Sequence, residues 1–347
     1  MKAMRCDLLN EFLRELEQTR VKGCEMRVKI GDETVFEYTK PEKPLYLAYS
    51  LTKPVTCVLA LKLLERGKIG LDDRLSDYIP EFKNPKVAET LSTGEKRVRS
   101  AKREIELRDL FTMTAGFSYD LSALRDDSTL NVAKTLAQRP LLFDPGEHWE
   151  YGLSHDVLGA VIEAVSGERL AELMRKELFI PLNMTRTRFL SQGEQGIAPL
   201  YSAKTFERLP LDRRFAPGNR YDSGGAGLVT SLEDYSEFCA ALVGGRIISS
   251  CTLELMTRDF LTDKTRPDFN WPQTRGYGYG LGVRTLVDVT KAGSLSPVGE
   301  FGWGGISGAY SLMDRSRRLS AVFMTHTLGA DEKYLFPRLR NVLYAGL

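Results

Sequence analysis

Leu8, Leu9, Phe12, Leu13 and Leu16 recur at helical spacing between charged residues, which predicts an amphipathic helix near the N-terminus. "CEMRVKIGDETVFEYT" (24–39) alternates apolar and polar positions on both sides of Gly31-Asp32, the pattern of a hairpin. A long apolar helix is predicted from about residue 50, with its stop at Gly67. From about 76 to 270 the pattern is mostly helical and loop-rich. Its clearest elements are 155–167, 169–179 and 231–245, the last opening with a capping box from Ser231 to Asp234. The period then changes: 276–287, 299–314 and 318–326 read as consecutive strands, and "DEKYLFPRLRNVLYAGL" closes as a helix. Strands at both ends with helices between them predict an α+β fold. One antiparallel sheet flanked by helices would be built from residues 1–75 and 272–347. A mainly helical lobe, 76–271, would be inserted, with the candidate site between the two units.

Composition narrows the classes. The 347 residues suffice for two domains or one large domain with an inserted lobe, and 42% hydrophobic with 27% charged residues is ordinary globular usage. A net charge of +2 gives no electrostatic reason to expect nucleic acid or an anionic membrane as partner. The mixed-charge stretch "GEKRVRSAKREIELRD" (94–109) reads as an exposed loop leading into a helix. Cys6, Cys24, Cys57, Cys239 and Cys251 are odd in number and scattered, the usage of a reducing compartment. No secretory leader or bilayer-length apolar run is visible, so the expected location is the cytoplasm.

Familiar hydrolase layouts are missing. There is no G-x-S-x-G; "GLSHD" (152–156) lacks the final glycine of the elbow. A Ser–His–Asp triad would have to draw on His148, His155 or His326, and none has a recognisable setting. The spacing around His148, Glu150 and His155 matches no metal motif, so neither a metal nor a cofactor is expected.

One pair stands out in "YLAYSLTKPVTCVLALKLLERGKIGLDD" (46–73). Ser50 and Lys53 lie three residues apart at a helix start, so they share one face. A hydroxyl needs a partner to take its proton, and a desolvated lysine can act as that base or polarise a second one. A helix N-terminus also favours a developing anion. Spacing alone leaves open the plainer alternative of a capping serine and a solvated lysine.

The blocks around that pair carry a resemblance. "SLTKPVTCVLALKLLERGKIGLDDRLSDYIPEF" resembles the nucleophile helix and following segment of the serine β-lactamase and penicillin-binding-protein superfamily, in its class C β-lactamase-like branch. "LRDLFTMTAGF" (107–117), "FDPGEHWEYGLSHDVLGAVIEAVSGERLAELMRKELFIPLNMTRTRF" (143–189), "GGAGLVTSLEDYSEFCAALVGG" (224–245), "YGYGLGV" (277–283) and "FGWGGISGAYSLMD" (301–314) follow in family order. Together they cover roughly residues 45–330. The resemblance implies a β-lactamase/transpeptidase-like fold, with Ser50 as nucleophile and Lys53 and Tyr151 managing its proton. It further implies an oxyanion hole made by the backbone N–H groups of Ser50 and Ile306.

Two positions depart from the family pattern. The family's Tyr-x-Asn falls on Tyr151-Gly152-Leu153, and leucine offers no amide to hold a peptide-like side chain. The Lys-Thr-Gly or His-Thr-Gly motif falls on Trp303-Gly304-Gly305, where a neutral indole replaces the cation that binds a substrate carboxylate. Leu153, Trp303, Gly304 and Gly305 are therefore expected at the substrate, and the departures are those associated with the family's carboxylesterases. The implied activity is hydrolysis of small, rather apolar acyl esters through an acyl-enzyme. β-Lactamase, DD-peptidase or D-aminopeptidase activity, acyl transfer, and a non-catalytic binding member are the alternatives. The expected partner is a small-molecule ester or amide. The loops at about 118–140 and 190–222 are expected to set acyl and leaving-group preference.

Overall fold

The computed structural model describes residues 5–91 and 93–347. The predicted N-terminal helix is α1 (Cys6–Thr19); Met1–Met4, also part of the stretch read as helical, lie outside the described residues. The predicted hairpin is present as β1 (Cys24–Ile30) and β2 (Glu33–Tyr38). The tail adds β3 (Tyr277–Tyr279), β4 (Arg284–Leu286), β5 (Phe301–Gly304), β6 (Tyr310–Asp314) and β7 (Leu319–Thr325). These seven form one antiparallel sheet in the order β3-β4-β5-β6-β7-β1-β2, so the first and last parts of the chain meet where β7 pairs with β1. The fold is α+β.

Helices cover both faces of this sheet. On β7, Ala321 and Phe323 pack with Leu9, Leu13 and the closing helix, while Val322 and Met324 enter the larger core on the opposite face. This is the alternation a pleated strand imposes, and every residue of β7 is buried because both sides are occupied. Three further helices matter to the site: α2 (Thr52–Glu65), α3 (Ser154–Ser166) and α4 (Leu232–Val243). The chain closes with α5 (Glu332–Gly346). α2 is buried on nearly every side from Thr52 to Leu61, which explains its all-round apolar sequence. α4 starts where expected, with the Ser231 side chain accepting from the Asp234 N–H.

The stretch 94–109 corrects its expectation. Lys96–Ser100 is a strand paired with Lys86–Thr90, and only then does a short helix, Leu107–Phe111, begin. Charged residues on this hairpin satisfy one another across the strands, as Arg97 does with Glu89 at 2.8 Å, so it forms with little apolar burial. Among the described residues, no helix is long and apolar enough to cross a membrane.

Candidate active site

Ser50 sits in a single 3-10 turn, Tyr49–Leu51, leading into α2. Tyr49 holds φ at 44°, a left-handed conformation that costs a bulky residue energy and persists only where its surroundings enforce it. Its side chain is buried, and its hydroxyl donates to Asp212 at 3.2 Å. Lys53 lies one turn on, 1% exposed, with Nζ 3.4 Å from Ser50 Oγ and donating to the Gly225 carbonyl at 2.8 Å. Pro54 is accommodated because the first helical N–H groups have no intrahelical acceptor to lose.

Tyr151 reaches this pair from the segment before α3. Its approach depends on Gly152, where a Cβ would fall 2.0 Å from the Phe117 carbonyl oxygen. Tyr151 Oη is 2.6 Å from Ser50 Oγ, and Lys53 Nζ lies 4.5 Å from the centre of the Tyr151 ring. Trp303 on β5 stacks against the same ring and donates its Nε1–H to Tyr151 Oη at 3.2 Å. The indole at this strand position thus addresses the phenol, a contact that its motif alignment did not suggest.

Two residues that the motifs did not single out complete the charge balance. Asp156, on the first turn of α3, accepts from Tyr221 and Ser223 at 2.6 Å each and from the Gly225 N–H at 3.3 Å. Tyr119 stacks nearly parallel on Tyr151, centroids 5.6 Å apart, with Lys53 Nζ 5.8 Å from its ring centre. Burial alone would pull the Lys53 ammonium down. The oxygens of Tyr119, Tyr151 and Asp156 around it act against that burial and hold it above the usual lysine value. Lys53 is therefore a resident cation. Burial pushes the Tyr119 phenol up to about 12, with Lys53 opposing, so it stays protonated near neutral pH.

Ser50 and Tyr151 open onto a cavity of about 550 Å³ whose wall is largely aromatic, including Tyr119, Phe215, Trp271 and Trp303. Tyr119 and Phe215 come from the two loops expected to set specificity. Gly304, Gly305 and Ile306 also line it, and the Ile306 N–H finds no acceptor among the described residues. A Cβ on Gly305 would press to 3.1 Å from the Ala48 carbonyl oxygen, so glycine there lets the β5–β6 turn approach the Ser50 turn closely.

Leu153 requires a correction. It is 1% exposed, belongs to the main core and caps the start of α3, and it is not on the cavity wall. With its side chain turned into the core, a direct substrate contact is not open to it. None of the three histidines lines the cavity either. His155 is fully buried beside Cys57, and burial, reinforced by Lys53, pushes it down to about 3.

The comparisons with known proteins bear on the family and the fold. The family model described as Beta-lactamase matches residues 16–344. "Esterase EstB" of Burkholderia gladioli is 30% identical over 346 residues, covering 88% of this chain and 83% of its own. Among solved structures, "EstCE1, a hydrolase with promiscuous acyltransferase activity" superposes with a TM-score of 0.82 at 24% identity, covering 97% of this chain and 98% of its own. Simvastatin synthase (LovD) of Aspergillus terreus gives 0.81 at 19% identity, with 97% of each chain covered. These two likenesses are of fold.

Proposed function

The chain belongs to the Beta-lactamase family, and from that premise we propose that it is a serine hydrolase working through an acyl-enzyme, an esterase on small acyl esters of apolar body. The observation that carries this reading is the 2.6 Å contact between Tyr151 Oη and Ser50 Oγ beside a charged Lys53, on a largely aromatic cavity.

Ser50 Oγ attacks the ester carbonyl as its proton passes to Tyr151. The Lys53 ammonium and the indole N–H of Trp303 both face the phenol that handles this proton. The new C–Oγ bond converts the carbonyl oxygen to an oxyanion, which the N–H groups of Ser50 and Ile306 receive. On collapse the C–O bond to the alcohol breaks, and Tyr151 gives its proton to the leaving oxygen. Water then repeats the sequence against the acyl-enzyme, with Tyr151 taking a proton from water and returning one to Ser50. In this reading the part of Lys53 is electrostatic and Tyr151 is the base.

Short-chain p-nitrophenyl esters test the reading. Hydrolysis is expected to fall by about 10³-fold or more in Ser50→Ala; equal rates in the two proteins would overturn it. Acyl transfer to an alcohol is a second reading, favoured by an apolar wall that can hold the organic part of an alcohol while water competes. Adding a short alcohol and measuring the ratio of new ester to free acid separates the two.

A further inference from the structure

The cavity does not end at the nucleophile. Past Gly304 it continues to a chamber walled by Arg284 of β4, Tyr310 of β6, and Phe336 and Arg340 of α5. Glycine keeps this passage open at one point: a Cβ on Gly304 would come within 2.9 Å of the Phe336 ring.

The charge in the chamber does not balance. Arg284 and Arg340 are 3% and 1% exposed. Glu300 pairs with Arg284 through Nη2 at 3.0 Å, and Tyr277 also donates to that carboxylate. Arg340 has no carboxylate within ion-pair distance among the described residues; its Nη1 donates to Tyr310 Oη at 3.0 Å. Arg284 Nη2 donates to the same phenol oxygen. Tyr310 thus accepts from both guanidinium groups and keeps its own O–H to donate. Arg284 Nε and Nη1 and Arg340 Nε have no acceptor among the described residues. Among the described residues Glu300 is the one carboxylate in contact with either guanidinium, which leaves a local excess of buried positive charge with several open donors, an arrangement that folded proteins retain at a cost unless an anion joins it. Glu332, another acid on this wall, is bonded by Gln273 at 2.9 Å rather than by either arginine, and burial raises its pKa to about 7.

We infer that this chamber is a carboxylate subsite, in which Arg340, with Arg284 and Tyr310, receives a free carboxylate carried on the same ester that Ser50 attacks. The substrate class narrows accordingly, from apolar esters to esters whose apolar body ends in a carboxylate, such as monoesters of linear dicarboxylic acids. A guanidinium suits this task because its planar fork meets a carboxylate with two parallel hydrogen bonds. The coupling of the subsite to turnover rests on the proposed role of Ser50; the binding of the anion does not.

The experiment therefore has a catalytic arm and a binding arm. Mono-p-nitrophenyl esters of glutaric, adipic and pimelic acids are compared with their methyl-capped neutral partners, which puts the carboxylate on the acyl side. Para-acyloxybenzoates against their methyl esters put it on the alcohol side. At least one charged series should exceed its neutral partner by about tenfold in kcat/KM. Arg340→Gln should bring that ratio near one, and Arg340→Lys should restore part of it. Ratios near or below one in every wild-type pair, with the neutral esters still hydrolysed, overturn the subsite and leave the hydrolase reading standing. A ratio that survives Arg340→Gln overturns it as well. Should no ester turn over, calorimetry with monomethyl adipate on Ser50→Ala decides. Saturable binding supports the subsite, and none by about 10 mM overturns it.

Discussion

Lys53 and Arg340 are equally buried cations, each 1% exposed; Arg340 lines one end of the cavity, and Lys53 lies behind Ser50 and Tyr151, which line the other. Their surroundings differ completely. Lys53 donates to the Gly225 carbonyl, lies against Ser50 and the Tyr151 ring, and has Asp156 nearby to hold its charge. Arg340 hydrogen-bonds one phenol, Tyr310, shared with Arg284, and its guanidinium lies 4.9 Å from the centre of the Tyr277 ring. A buried charge whose partners are all supplied by the chain is a finished component, fixed in place to act on others. One with open donors lacks an anion that the chain does not provide. On the proposed reading, the same burial serves catalysis at one end and recognition at the other.

The contrast breaks most readily at Lys53. Lys53→Met removes the cation beside Tyr151, and kcat for p-nitrophenyl butyrate should fall about 10³-fold. Because the buried Gly225 carbonyl then loses its donor, unfolding free energy should also drop by about 1–3 kcal/mol, read by denaturant titration. Arg340→Met should do the reverse in the unliganded protein, leaving stability unchanged or raised by about 1 kcal/mol, since it replaces an unbalanced charge with an apolar side chain. Equal losses in the two variants would erase the distinction drawn between them.

Acid should expose the Lys53 end next. His155 is held to about 3 in the folded protein against 6.5 for a free imidazole, by burial first and Lys53 second. Between those values the unfolded chain binds a proton that the folded chain refuses, so stability rises with pH across that window and is lost on acidification through it. His326, pushed down to about 4 mainly by burial, acts in the same direction. Unfolding free energy should decline by a few kcal/mol between about pH 6.5 and pH 4. A flat profile over that range would contradict the assigned burial.

The smallest effect belongs to Trp303. Trp303→Phe keeps an aromatic ring against Tyr151 but removes the N–H that reaches its oxygen. kcat should fall about three- to tenfold with KM little changed, the signature of an interaction that matters as charge develops on the phenol. A change confined to KM would return Trp303 to a plain substrate contact.

These residues also show what a sequence makes legible. Ser50 and Lys53 could be paired from spacing, because three positions on a helix bring side chains together. Tyr151 lies 101 positions from Ser50, and no periodicity links them; the ordered family blocks did. Asp156 and Tyr119 stayed hidden, since their contribution to Lys53 depends on proximity created only by folding. Arg340 was hidden differently. In "FPRLRNVL" it reads as the polar stripe of an amphipathic helix, yet in the fold that position faces an internal chamber. Leu153 was assigned to the substrate by its place in a motif, whereas the start of α3 turns it into the core. The sheet was readable because each of its strands alternates or is wholly apolar. The hairpin at 86–100 was not, because charged residues recur along both of its strands and mask the few apolar positions, Val87, Ala88 and Val98.

Ser50 as the point of covalent attachment is the claim on which the rest depends, and intact-protein mass spectrometry after rapid acid quench from p-nitrophenyl butyrate addresses it directly. The account predicts a transient mass increase of one butyryl group, located by digestion to the peptide containing Ser50 and missing from Ser50→Ala. Turnover with the acyl group on another residue, or undiminished turnover in Ser50→Ala, would contradict it.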